Sequence, residues 1–544
     1  MRGLAAVLVL LASAAGAARP REESGAARAH RLMQEWRVEE AEREVKALVS
    51  SRPRDLETVL VHAELRFLQG DYAGAAKQLR EVLQGGRLPM GEASEWRTLA
   101  ELAASTAEVT GGFSEQLSPR GHFLLRYGHR DALLVPYAGE ALERAWEALG
   151  EDFAGLGDPE AVWPAGPVRV EIYGEVVDLA RVSTLTLKEI ETSGTIALCK
   201  WNRLMIVSPR ALVRGYPWLD TLVHEYVHYI LSRVSRGTMP IWLHEGLAKF
   251  LERRWRGPPG GGLTPAMEHL LASALARKRF ITFAEMHPSM AKLPSQEDTA
   301  LAFAEVYTVV EYLHKRSGFS GIHRLIKEMS SGAGEGRAMM AALGMSMEDF
   351  ERSWQGWLKG RKLKSRGGLL QPQLKFRKAP PGRRGKREPI EDDDSGEVAD
   401  PRARGFARLG GMLRARGRLR AAAAEYEKAQ GLLGAAHPAV AGKLARTYLE
   451  LGELDRAIAA ADPVRELYPE LAGPNVTLGM AWLKKGEPQR ALPYLEAANR
   501  VNPFDPTVHC GLEQALSALK SPLAAREAQA CQQLMNWSLH SPPP

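Results

Sequence analysis

Two imidazoles four residues apart with a carboxylate between them, His224-Glu225-Tyr226-Val227-His228, are the residues of this chain whose spacing speaks most directly of chemistry. On a helix, side chains at i and i+4 share one face. His224 and His228 would then stand side by side and could grip one Zn²⁺. Glu225, next to the site without being a ligand, could take a proton from a water held there. The pattern H-E-x-x-H thus points to hydrolysis by a metal-activated water. A pair of satisfied core histidines would share the same spelling, so the surrounding elements have to discriminate.

Those elements read as a strand followed by a long helix. Arg203 to Ser208 is an apolar run closed by Pro209. Leu219, Leu222, Val223, Val227, Ile230 and Leu231 then recur at helical spacing. Asp220 lies near the expected helix start, where an acidic group is favoured, and Gly237 and Pro240 end the element. Histidines and a glutamate in so apolar a helix are costly to bury unless they have partners.

Downstream stands Ile241-Trp242-Leu243-His244-Glu245-Gly246-Leu247-Ala248. An H-E-x-x-H helix followed by a second helix carrying W-x-x-E-G-x-A resembles the gluzincin metallopeptidases. More closely, it resembles the bacterial peptidase-MA-like domains often found with helical repeats. The resemblance spans about residues 113–362. It takes in the strand-like His122 to Tyr127 and Pro167 to Tyr173, the helix around Phe303 to Leu313 before Ser317-Gly318, and the closing stretch Gly344 to Trp354.

The resemblance implies an α+β zincin-like metallopeptidase domain. It also implies Glu245 as third zinc ligand beside His224 and His228, and Glu225 as general base. His244 is the rival ligand, but it points about 100° away from Glu245 on a helix. Gluzincins commonly use a tyrosine or histidine to stabilise the oxyanion. Tyr307, on the later family-like helix, is the candidate here, with an ordinary core tyrosine as the competing reading. Tyr229 is a weaker choice, and Tyr226 sits about 200° around the helix from His224. Asp220 and Glu252 could orient ligating imidazoles. The acid that some gluzincins place four residues after the third ligand is here Lys249.

The remaining sequence frames this region. At 544 residues the chain exceeds one domain, and its net charge of +7 with scattered Lys and Arg argues against a nucleic-acid partner. Residues 1–18 read as a signal peptide, with an apolar run too short to span a membrane and no other segment of spanning length. The protein is therefore expected to be exported, periplasmic or secreted in a bacterial envelope.

Three cysteines need no disulfide framework, although Cys510 and Cys531 could pair across a helical hairpin and Cys199 reads as a small buried strand residue. Tyr448, Gly452, Ala457 and Pro469 recur as Trp482, Gly486, Ala491 and Pro503, the 34-residue tetratricopeptide period. An irregular earlier copy carries Gly417 and Ala422.

The expected organisation is then a helical repeat region at 24–112 (Ala41 and Ala75 at one period), the metallopeptidase domain at 113–362, a flexible charged linker at 363–403 and a C-terminal repeat domain at 404–537. All-α repeats would flank the catalytic domain on both sides. The implied function is a zinc-dependent endopeptidase acting on a protein or peptide, with repeats that recruit protein partners. The competing class is a repeat scaffold whose peptidase-like domain only binds zinc or is vestigial. Substrate would add as a strand to the edge of Gly194 to Val207.

Overall fold

The computed structural model describes residues 23–540 apart from 87, 89, 157–161, 367–368, 371–372 and 378–397. The expected signal peptide and the centre of the expected linker lie outside those residues. Helices α1 (Gly25–Gln34), α2 (Val38–Ser51), α3 (Leu56–Leu68), α4 (Tyr72–Gln84) and α5 (Met90–Thr110) form the N-terminal hairpins. Asp55 and Asp71 cap α3 and α4 by accepting from backbone amides. Ala41 and Ala75 are fully buried at the expected repeat positions.

A five-stranded sheet follows, from β1 (Ser114–Leu117), β2 (Phe123–Tyr127), β3 (Val168–Tyr173), β4 (Ala197–Lys200) and β5 (Arg203–Val207). Its order is β1-β2-β3-β5-β4, with the two outer strands antiparallel to their neighbours and the inner pairs parallel. Between strands lie α6 (Val135–Asp152), α7 (Val176–Arg181) and α8 (Leu187–Ser193). The H-E-x-x-H motif sits on α9 (Trp218–Ser235), which packs against β4, β5 and α6. Every apolar position expected to face the core, from Leu219 to Leu231, is buried.

A helical lobe completes this part: α10 (Ile241–Leu251), α11 (Pro265–Arg277), α12 (Phe283–Met286), α13 (Gln296–Ser330), α14 (Glu335–Leu343) and α15 (Met347–Gly360). Gly318, with φ 61° and ψ −172°, breaks α13 where the glycine turn was expected.

The C-terminal array consists of hairpins α16 (Pro401–Ala415) with α17 (Leu419–Leu433), α18 (Pro438–Leu451) with α19 (Leu454–Leu467), α20 (Ala472–Lys484) with α21 (Pro488–Asn499), and α22 (Pro506–Ala518) with α23 (Ala524–His540). Gly417, Gly452 and Gly486 all adopt φ between 71° and 79°, the left-handed turn that follows each first helix. Ala422, Ala457 and Ala491, where the paired helices touch, have no exposed surface. Cys510 and Cys531 form a disulfide between α22 and α23. Among the described residues, no helix is long and apolar enough to cross a membrane.

Both flanking regions dock on the central domain, and both reach α9. At its C-terminal end, Arg233 pairs with Glu39 of α2 at 3.1 Å and Tyr229 meets Trp36 edge-on. At its N-terminal end, α9 has no side-chain cap. Instead the Tyr216 and Trp218 amides donate to the Val501 and Arg500 carbonyls at 3.0 and 3.2 Å, just past the end of α21. A second anchor is buried: Tyr137 of α6 donates to Glu527, which also pairs with the fully buried His509 at 2.7 Å.

The expected flexible linker is corrected in its first part. Lys364, Leu370 and Leu374 donate backbone amides to Glu268, Tyr468 and Gln296, and Arg377 donates to the Ala211 carbonyl. Charge and proline content argued for a solvated segment, but Leu374 and Phe376 pack on the central core and hold it. The end of the segment, from Pro401, belongs to α16.

The N-terminal hairpins lock onto the sheet through Glu171 of β3, which has no exposed surface. Its carboxylate accepts from Tyr72 of α4 at 2.6 Å, Arg126 at 2.7 Å and Tyr173 at 2.5 Å, and pairs with buried Arg203 at 3.0 Å. Burial pushes the Glu171 carboxyl up, but Arg203, the two phenols and Arg126 together hold it below its ordinary value of 4.5. A carboxyl lowered on folding contributes stability above its unfolded value and loses it as pH falls. Glu171→Gln is therefore expected to destabilise the protein by about 3–5 kcal/mol at pH 7, because Arg203 is left buried without its partner. In denaturant titrations the gap from wild type should narrow as pH drops below 4.5.

Candidate metal centre

Helices α9 and α10 bring three ligand-type atoms together. His224 Nε2 and His228 Nε2 are 3.1 Å apart. Glu245 Oε2 lies 3.3 Å from each of them. A tetrahedral ion with nitrogen and oxygen ligands at 2.0–2.1 Å sets those atoms about 3.3 Å apart. The triangle thus has the size that one such ion requires. Glu225 adds a carboxylate within 4.8 Å of the imidazole nitrogens. Both histidines and Glu225 are under a tenth exposed.

Glycine at position 246 explains how Glu245 reaches this point. A Cβ there would come within 2.6 Å of Val310 and 2.8 Å of the Val306 carbonyl. Helix α10 therefore approaches α13 more closely than any side chain would allow, while Trp242, one turn earlier on the helix, stacks on Phe283.

Each ligand has a partner behind it. Glu252 Oε2 stands 3.5 Å from His224 Nδ1, and Lys249 holds the other Glu252 oxygen at 2.8 Å. Glu252 is buried. Lys249, four residues after Glu245, supports that carboxylate. His228 Nδ1 lies 2.5 Å from His244 Nδ1, and His244 Nε2 lies 3.4 Å from Ser232 Oγ. His244, the rival ligand, touches the far side of His228. Asp220 is not an orienting group for His224: it pairs with Trp255 at 2.9 Å and Arg256 at 2.6 Å and ties the start of α9 to the turn after α10.

The electrostatics follow from this crowding. Burial opposes charge on His224, but hydrogen bonds to Glu245 and Glu252 and the Glu225 charge raise it to about 9 in the metal-free protein. Burial pushes Glu245 up, yet His228 and His224 hold it well below the usual carboxylate range. Glu252 falls to about 2 against its own burial, through Lys249 and His224. Burial, followed by the His228 charge, lowers His244 to about 3. Glu225 is raised, mainly by burial, while the Cys199 amide of β4 donates to it.

Tyr307 is not brought to this cluster. Its hydroxyl donates to the Gly260 carbonyl and accepts from the Gly262 amide at 3.0 Å, and burial pushes its pKa up to about 12. The α13 side chain that meets the ligands is Phe303, whose ring lies 5.9 Å from that of His224. Residues 303 and 307 are one helical turn apart, so the sequence pattern alone could not say which met His224. Tyr229 donates to Asn202 at 3.0 Å, away from the ligands, and Tyr226 is buried against Phe123.

Residues 151–360 match the family model described as Peptidase MA superfamily. That stretch is similar to the superfamily, and β1, β2 and most of α6 lie in the same sheet-and-helix unit ahead of it. No curated protein matches the chain. Among solved structures it is similar to a thermophilic TPR protein of Thermus thermophilus, at 26% identity and a TM-score of 0.23, over 25% of this chain and 75% of that one. The APC/C hetero-tetramer Cut9-Hcn1 is similar at 12% identity and a TM-score of 0.26, over 95% and 80%. Yeast Tom70 is similar at 11% identity and a TM-score of 0.21, over 95% and 90%. The tetratricopeptide-like character of the flanks rests on their own hairpins and period.

If Tyr307 serves the glycine loop, Tyr307→Phe should cost about 1 kcal/mol of stability, the net worth of its hydrogen bonds. Hydrogen exchange at the Gly262 amide should quicken. A normal Gly262 exchange rate together with a large loss of hydrolytic activity would return Tyr307 to a catalytic role.

Proposed function

We propose that this protein is an exported zinc-dependent endopeptidase whose repeats recruit protein partners or substrates. The observation that carries the reading is the triangle of His224 Nε2, His228 Nε2 and Glu245 Oε2, with sides of 3.1–3.3 Å, beside a glutamate that is not part of it. Three ligands leave a tetrahedral ion one open position. When bound there, zinc would supply a Lewis acid that polarises a carbonyl and lets water ionise near neutral pH. The donor set fits: two imidazoles able to be neutral at Nε2 and one carboxylate.

The chain's own residues do the rest. Glu225 is held between the histidines and the Cys199 amide, so its carboxylate is fixed at the ligand face. A carboxyl raised by burial is a better proton acceptor, suited to taking the proton of the attacking water and returning it to the leaving amine. Strand β4 offers a place for an extended peptide. Val207 donates to the Ile196 carbonyl, and the alternation of antiparallel pairing turns the Ala197 backbone groups and the Cys199 carbonyl away from β5, while the Cys199 amide is taken by Glu225. Among the described residues, no strand pairs with that outer edge. The Cys510–Cys531 disulfide agrees with an oxidising compartment outside the cytoplasm.

One observation favours a second reading, a repeat scaffold with a zinc-binding or vestigial domain: Phe303, not a hydrogen-bond donor, faces His224. A single pair of measurements separates the two. Wild type should hold one equivalent of zinc and cleave an unfolded protein substrate, and Glu225→Gln should keep the zinc while losing about 100-fold or more in rate. Less than about half an equivalent of zinc overturns the metal site. Equal cleavage by Glu225→Gln overturns the mechanism, and zinc without cleavage in wild type supports the scaffold.

A further inference from the structure

We infer that His244 is a positioning residue: it accepts the Nδ1 proton of His228 and passes the hydrogen-bond chain on to Ser232, which fixes the tautomer and plane of the second histidine ligand. This role rests on the metal-site reading above and extends it to a residue that is not a ligand.

The Nε2 atom of His228 lies at the ligand triangle, 3.1 Å from His224 Nε2 and 3.3 Å from Glu245 Oε2. A ligating nitrogen must present a lone pair, so the proton of a neutral His228 belongs on Nδ1. The atom facing Nδ1 is His244 Nδ1, at 2.5 Å. Two donors cannot meet at that distance, so His244 Nδ1 carries the lone pair and its own proton sits on Nε2. That nitrogen faces Ser232 Oγ at 3.4 Å, one helical turn beyond His228 on α9. The two rings lie nearly parallel, 14° apart with centroids at 4.5 Å. The chain of donors therefore runs in one direction, from ligand to acceptor to hydroxyl.

The same distances exclude His244 as a ligand to this ion. It approaches Nδ1 of His228, the nitrogen that points away from the triangle, so its own Nδ1 is turned to the far side of that ring. The roughly 100° between adjacent helical residues lets Glu245 enter the triangle while His244 covers the far edge of His228.

A neutral acceptor also suits the charge of the site. Glu252 already backs His224 with a carboxylate, at 3.5 Å. Glu225 and Glu245 bring two more buried carboxyl groups beside the ligands. A further carboxylate at position 244 would add like charge in the interior, where such repulsion is screened least. An imidazole supplies the acceptor without the charge.

The test is zinc affinity, read by competition with a chromophoric chelator on the full-length protein. His244→Leu keeps the bulk and removes the acceptor, and should weaken zinc binding about 10- to 100-fold. His244→Asn restores an acceptor oxygen near the position of Nδ1 and should recover most of that loss. The melting temperatures of the metal-free variants should match that of metal-free wild type, since a merely structural role would lower both. Equal affinity of His244→Leu and wild type, or an equal fall in the Asn variant, overturns the inference while the metal site stands. A wild type without zinc overturns both readings together. If His244→Leu does not fold, Ser232→Ala decides: weaker zinc binding at unchanged metal-free stability supports the chain, and unchanged affinity overturns it.

Discussion

Holding two imidazoles and a carboxylate within 3.3 Å of one another inside an apolar interior is the constraint that the rest of the structure serves. Polar groups lose hydration on burial, and the loss is recovered only if each finds a partner in a fixed place. Here each ligand has one. His224 leans on Glu252, His228 on His244, and Glu245 on both histidines. The partners come from α10 and its C-terminal end, so the packing of α10 decides the geometry. That packing depends on Gly246, where a methyl group would collide with α13. The glycine beside Glu245 thus has a steric cause.

Helix α9 must also be held in place. Its N-terminus carries no side-chain cap, but its first amide, Trp218, and the Tyr216 amide just ahead of it donate to carbonyls past the end of α21. One helix ends where the other begins, so the negative end of one dipole faces the positive end of the next. Asp220, close by, is neutralised by Arg256. At the opposite end, Arg233 and Tyr229 meet Glu39 and Trp36 of the N-terminal hairpins. Both flanking regions therefore form part of the frame around α9. The Glu171 cluster extends that frame to the sheet, joining α4 to β2, β3 and β5 through one buried carboxylate.

Much of this was legible in local pattern. Helical spacing gave the span of α9 and its buried face, and the left-handed glycines at 417, 452 and 486 marked the turns of the array. His224, His228 and Glu225 declared themselves by spacing, and Glu245 through family resemblance. What could not be read was any fact set by rotation about a helix axis relative to a distant partner. Tyr307 and Phe303 share a helical face, and only the packing of α13 shows that the phenyl ring meets His224 while the hydroxyl meets the glycine loop. Asp220 has the spacing to reach His224 but is drawn off by two side chains after α10. The segment beyond residue 362 reads as solvated by composition, and its anchorage by Leu374 and Phe376 depends on surfaces far away in sequence.

The docking of the array has a mechanical consequence for the site. In repeat proteins each unit touches mainly its neighbours, and small rotations between units accumulate along the stack. This array is not free at its far end, because α21, α22 and α23 are fixed to the central domain by Val501, His509 and Glu527. Strain from any protein seated on the earlier hairpins would therefore be delivered toward residues 499–501. Those residues supply the only caps that the start of α9 has among the described residues, two turns before His224. The array and the helix that carries His224 and His228 are thus joined by two backbone hydrogen bonds rather than by a linker alone.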